Sequence, residues 1–173
     1  MIKRLRQSIL HLRNQRALRK KALQQVALQF PVEDVLVLQR ASQPMPVKSQ
    51  QLLVKLLGIS KDRLRFFTLA DIPGIEESHN HFVLAPEDIN FRGILPQDAS
   101  RFCSFPVDLM FNYFNDSDVL LNYLSLKIKA GIRLGFARTD SRLNHIIFNF
   151  ELTEEETLGR ELPKYLKPIL ASA

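Results

Sequence analysis

Residues 107–136 read VDLMFNYFNDSDVLLNYLSLKIKAGIRLGF, and this stretch decides the fold. Val107–Tyr113 is an almost continuous apolar run, the pattern of a strand buried on both faces rather than one with a wet side. Asn115, Asp116 and Ser117 follow as a turn whose side chains can cap a helix. Val119–Ala130 places Leu120, Leu121, Leu124 and Ile128 at inward spacings, and Gly131 is expected to end that helix. Ile132–Phe136 then returns as a strand. Strand, helix and strand in about thirty residues make one βαβ unit, and a βαβ unit makes its two strands parallel.

The pattern repeats outward from this unit. Val35–Leu38 (VLVL) is a second buried strand, and Lys48–Leu57 a helix with Leu52, Leu53, Leu56 and Leu57 on one side, capped by Gly58. Leu64–Leu69 (LRFFTL) reads as a strand, Pro73-Gly74 as a turn, and Phe82–Leu84 and Asn90–Leu95 as short strands around Pro86. His145–Phe150 (HIIFNF) is the last strand. Thr153-Glu154-Glu155-Glu156 is a capping box that opens a helix over 153–170, with a kink expected at Pro163. Strands alternating with helices predict a three-layer α/β domain over residues 31–173, with a mostly parallel sheet flanked by helices.

Residues 2–29 lack Pro and Gly and are rich in Leu, Arg, Lys, Gln and Ala, so a long basic amphipathic helix is expected over residues 1–30, stopped by Pro31. Ile2, Leu5, Ile9 and Leu12, then Leu23, Val26 and Phe30, form its apolar patches, with Arg16 and Arg19 in the gap. A continuous coiled-coil seam is thereby excluded.

The chain has 173 residues, 46% hydrophobic and 24% charged, with nine prolines and six glycines, which is the composition of a globular domain and not of a disordered or collagen-like chain. Cys103 is the only cysteine, so neither a disulfide framework nor a multi-cysteine metal site can be built. No apolar run approaches the ~18 residues a membrane helix needs. The net charge of +6 conceals a segregation. Residues 1–28 carry Lys3, Arg4, Arg6, Arg13, Arg16, Arg19, Lys20 and Lys21 and no acid, while the other 145 residues hold 16 basic and 18 acidic side chains, or −2. Such asymmetry points to an anionic partner. Basic residues interrupt every window that could serve as a secretory core, and Ser8 is the only serine before residue 28, unlike a transit peptide. A cytoplasmic location is expected.

Motifs for chemistry are sparse. The glycines are scattered, so no phosphate-cradling loop follows a strand and no cofactor is expected. If the fold binds a small ligand, the crevice at the carboxyl ends of the strands would use Gln39, Arg40 and Ser42 after the first strand and Asn112, Asn115 and Asp116 after the later one. His79 and His81, one residue apart on a strand, would share a face but lack further ligands, so no metal site is assigned. Cys103 lies between Phe102 and Phe105 and reads as a small buried residue. The carboxylates Asp116 and Asp118 read as complements to a helix N-terminus. Catalytic residues are unknown at this level.

Two resemblances sit on these residues. The segment from Phe105 to Phe114, with Tyr123–Lys127 and Lys129–Phe136, resembles an uncharacterised family of small bacterial proteins in which a basic N-terminal helix precedes an α/β body. That resemblance implies the fold and no functional residue. The βαβ unit from VDLMFNY to IRLGF is also similar to the N-terminal half of heptosyltransferase-type glycosyltransferases, which implies a Rossmann-like unit. In such enzymes the other half holds most of the sugar nucleotide.

The expectation for function is a non-catalytic protein that meets nucleic acid, or an acidic protein surface, through its basic helix. A homo-oligomer built on Leu5, Ile9 and Leu12 is the variant of that reading. The alternative is a nucleotide- or sugar-nucleotide-handling α/β enzyme, or a remnant of one.

Overall fold

The computed structural model describes residues 2–19, 31–90, 92–115, 117–152 and 155–171. In chain order the elements are α1 (Ile2–Arg19), β1 (Val35–Arg40), α2 (Val47–Leu57), β2 (Leu64–Leu69), β3 (His81–Leu84), α3 (Gln97–Ser104), β4 (Val107–Tyr113), α4 (Val119–Lys127), β5 (Ala130–Phe136), β6 (Ile146–Phe148) and α5 (Glu155–Ala171). Single 3-10 turns at Lys61–Arg63 and Pro86–Asp88 precede β2 and follow β3.

All six strands pair in parallel, in the order β3-β2-β1-β4-β5-β6. The continuous runs VLVL and VDLMFNY are the two central neighbours, Val35 standing opposite Leu64 on one side and Leu109 on the other. They are apolar on both faces because both faces are covered. Val35, Val37, Leu109, Phe111, Leu134 and Phe148 point to one core, closed by Leu53 and Leu57 of α2 and Leu158, Leu162 and Leu166 of α5. Leu36, Leu38, Phe67 and Met110 point to the other, closed by Ala99 and Cys103 of α3, Leu121 and Leu124 of α4, and Leu10 of α1. The architecture is three-layered.

Several local expectations are corrected. The helix after β4 ends at Lys127, and Gly131 lies inside β5 rather than ending the helix. Residues 90–95 are not a strand among the described residues. Asn90 folds them into a turn, its Oδ1 accepting from the N–H groups of Arg92 and Ile94 at 2.8 Å each. His79 sits in the turn before β3, so it does not share a strand face with His81. The strand expected over 145–150 is confined to Ile146–Phe148, and α3 is a helix that the apolar pattern does not announce. The 153–154 part of the capping box, the helical stretch at 20–29 and Phe30 lie outside the described residues.

No helix joins β2 to β3. Residues 70–80 instead fold back along the outer edge of β3. Ser78 and His81 exchange backbone hydrogen bonds at 3.0 Å, and Glu77 Oε1 accepts from the N–H of Val83 at 3.2 Å.

Candidate functional site

The strand order places a topological switch between β1 and β4. The chain leaves β1 for α2 on one face and leaves β4 for α4 on the other. Their loops therefore part, opening a crevice at the carboxyl ends, which is where open α/β sheets bind ligands. Arg40, Ser42, Asn112 and Asn115 all lie along it.

Arg40 ends β1 and is held from two sides. Its Nε donates to Asp118 Oδ2, and its Nη1 to Asp71 Oδ2 at 3.2 Å. Asp71, just after β2, also accepts from the Ser42 N–H at 2.9 Å and from the Ser42 hydroxyl. Burial opposes the Arg40 charge, but bonds and attraction from Asp118 and Asp71 outweigh it and hold its pKa above the ordinary value. For Asp71 too, burial is overcome, here by the bonds from Ser42 and Arg40, and its pKa lies below the usual carboxylate range. Asp118 is the N-cap of α4, with Oδ1 accepting from the Leu121 N–H at 3.1 Å. A carboxylate thus occupies the helix N-terminus, where a phosphate would otherwise gain most. The mouth of the crevice is neutralised from within.

A second polar group lies deeper. Asn112 is fully buried on β4 and donates from Nδ2 to Asn144 Oδ1 at 2.7 Å. Asn144 donates in turn to Thr139 Oγ1 and Asp140 O, both at 3.1 Å, and Thr139 Oγ1 donates to Phe136 O at 2.6 Å. Gly135 lies beneath this chain. A Cβ there would run into Thr139 Oγ1 and the Asn144 amide, so the close approach needs glycine. Asn112 Oδ1 is a buried acceptor with no hydrogen-bond partner. Among the described residues no hydrogen bond joins the Arg40 group to the Asn112 group. Asn115 lies half-buried between β4 and α4, its carbonyl accepting from the Asp118 N–H at 3.0 Å, and Asp116 is outside the described residues.

On the α2 side, Gln39 and Thr68 are buried polar residues facing one another across β1 and β2. Gln39 Oε1 accepts from the Met45 N–H at 2.8 Å and its Nε2 donates to Thr68 Oγ1 at 3.2 Å. Thr68 Oγ1 lies 2.7 Å from His81 Nε2, so His81 is engaged in a structural chain that fixes the loop after β1. Burial lowers the His81 pKa, with Glu77 acting the other way. No group of three or more metal-ligating side chains occurs among the described residues. Cys103 is buried, and burial pushes its thiol up to about 12, so it stays protonated at neutral pH.

The basic helix is docked. Leu10, Asn14 and Leu18 are buried, one turn apart, with Leu10 against the core beneath α4 and Leu18 against Leu126 and Leu143. Asn14 Nδ2 donates to Val119 O at 3.0 Å. Arg6 donates from Nη1 to Pro86 O at 2.7 Å and Ile89 O at 3.2 Å, and Arg13 to Arg92 O. The inward stripe is thus the half-buried Arg6 with the buried Leu10, Asn14 and Leu18. Of the apolar patch that a homo-oligomer would cover, Leu12 is 57% exposed and Ile9 half-buried, and the Leu5 side chain is outside the described set. Arg16 and Arg19 are exposed. Among the described residues, no arginine of α1 takes part in a salt bridge. Lys3 and Arg4 lie on the helix, with side chains outside the described set, as are Lys20 and Lys21 altogether.

The profile of a family of unknown function, DUF6913, matches residues 6–169. The chain belongs to the DUF6913 family. No curated protein and no solved structure matches it. The DUF6913 match begins at Arg6, the first anchor of the docked helix, and so takes in α1 and the α/β body together. Asp71, Asp118 and Asn144 complete the two polar groups in this DUF6913 protein. Of these, only Asp118 carried a sequence signal, as a carboxylate before a helix.

Proposed function

We propose that this protein is a non-catalytic cytoplasmic protein whose basic N-terminal helix engages nucleic acid. The observation that carries the reading is the division of labour on α1. Arg6 and Arg13 serve as anchors to backbone carbonyls, whereas Arg16 and Arg19 stand in solvent with no carboxylate partner among the described residues. Lys20 and Lys21 follow directly in sequence. Like charges gathered without counter-charges repel one another, and a polyphosphate relieves that repulsion by releasing its own counterions. A second copy of the chain is less well supported, since the exposed Leu12 lies between His11 and Arg13 and, among the described residues, is not part of an apolar seam.

The test is RNA and duplex DNA binding across a salt series, with the intact chain and an Arg16→Gln/Arg19→Gln variant. Deleting α1 would be a poor test, because Leu10 and Leu18 help close the core. The variant is expected to bind more weakly and to reduce the log–log salt slope by about 0.9 for each duplex phosphate it no longer neutralises. Equal binding by both proteins, or none at low salt, rejects the proposal.

The second reading, a site that handles a nucleotide or sugar nucleotide, draws on the switch-point crevice and on the buried, unpartnered Oδ1 of Asn112. Asp118 at the α4 N-terminus weighs against a phosphate. A thermal-shift screen with nucleotides and sugar nucleotides tests it, and the absence of any shift at millimolar ligand removes it.

A further inference from the structure

A cavity of about 400 Å³ lies on the α3/α4 side of the sheet, at the opposite end from the switch-point crevice. The turn 93–95 forms one wall, α3 another, and the step from α4 into β5 the third. We propose that this cavity binds a small organic anion with an apolar body, whose charge is held between Lys127 and Lys129.

The charged lining is of one sign. Lys127 and Lys129 contribute two ammonium groups, neither in a salt bridge among the described residues, and no carboxylate lines the cavity. Lys127, as the last residue of α4, has an ordinary explanation as a cation at a helix C-terminus. Lys129 lies beyond the helix, exposed like Lys127, and its carbonyl is tied to the Val107 N–H at 3.0 Å. That tie fixes its backbone where its side chain lines the cavity. The thiol of Cys103 adds no competing charge, since burial keeps it protonated.

The rest of the lining is Gly93, Ile94, Leu95 and Cys103 with two serines, Ser100 and Ser104, whose hydroxyls donate to the carbonyls of Leu95 and Arg101. Ile94, 59% exposed, and Leu95 form the wall facing Cys103. Their turn is held by Asn90 from within, by Arg13 on the Arg92 carbonyl, and by the Tyr123 hydroxyl on the Gly93 carbonyl. Gly93 has φ +72°, and a Cβ there would press on Tyr123 and Leu10, so the turn has one way to sit. A pocket of this size, with apolar walls and a few fixed charges, suits a small molecule. A bare inorganic anion would leave the Ile94 and Leu95 wall wet. An amphiphilic carboxylate or sulfonate covers it.

The test is fluorescence titration of the full chain with 8-anilinonaphthalene-1-sulfonate, followed by displacement with decanoate and with decan-1-ol. Saturable one-to-one binding is expected, weakened about tenfold or more in Lys127→Gln/Lys129→Gln, and weakened also in Ile94→Asp. Decanoate is expected to displace the probe at a concentration about tenfold lower than decan-1-ol. Lys55→Gln/Lys167→Gln, on other surfaces, and Arg16→Gln/Arg19→Gln, on α1, should bind as wild type. Thermal melts confirm that each variant is folded. No saturable binding, unchanged affinity in the folded double-lysine variant, or equal displacement by the alcohol overturns the proposal.

Discussion

Asp118, at the N-cap of α4, reaches the guanidinium of Arg40 at the end of β1, and so ties the two central strands together where their loops diverge. One carboxylate caps a helix and neutralises a cation. Asp118→Ala removes both roles and is expected to cost about 2 kcal/mol. In a chain of this size that is a fall of roughly 4–8 °C in Tm. Asp118→Asn keeps the capping acceptor and should lose less. Thermal denaturation followed by circular dichroism separates the two.

Gly135 supports the Asn112–Asn144–Thr139 chain at closest approach. Gly135→Ala drives a methyl into both partners and should destabilise by about 1–3 kcal/mol, as overpacking does. Asn144→Ala/Gly135→Ala should recover part of that loss, because the obstructing amide is gone. Urea denaturation of the two single variants and the double variant measures the coupling.

The face by which α1 docks can be read by truncation. Leu10→Ala should cost about 2–5 kcal/mol, since Leu10 is fully buried against the core under α4. Leu12→Ala should fall within about 0.5 kcal/mol of wild type, as surface changes do. Equal costs at the two positions would place the wrong face inward.

His81 and His145 both have imidazole pKa values lowered by burial, opposed at His81 by Glu77 and reinforced at His145 by Arg133. A base with a depressed pKa in the folded state binds fewer protons there than in the unfolded chain. Its contribution to stability is therefore complete above the ordinary value of about 6.5 and is lost as pH falls through the folded value. Stability should decline below pH about 6.5, and His81→Gln should flatten that decline. Urea midpoints between neutral and mildly acidic pH, with NMR titration of the imidazoles, check the sign.

The sheet is legible in the sequence because parallel strands buried on both faces leave runs dominated by apolar residues. VLVL, LRFFTL and VDLMFNY therefore announce themselves. α3 does not, because it has only eight residues and its buried positions, Ala99 and Cys103, are small. The α1 stripe misleads for a related reason. Its inward face mixes Arg6 and Asn14 with Leu10 and Leu18, and those polar side chains donate to carbonyls far away in the chain. Arg40, Ser42 and Asn112 can be named from the sequence because strand ends in such a fold are predictable. Asp71 and Asn144, their partners, cannot, because they stand 31 and 32 residues from Arg40 and Asn112 and meet them only through the topology.

The fold-back of residues 70–80 has a bearing on how copies of this protein behave when crowded. A bare edge strand is a template on which another chain can continue the sheet. Here the outward N–H groups of His81 and Val83 are already taken by Ser78 and Glu77, and the strand they belong to spans only His81–Leu84. An incoming strand would have to evict a carboxylate to gain a few hydrogen bonds. The chain thereby defends its own border against aggregation, using a loop that stands where other sheets of this kind carry a helix.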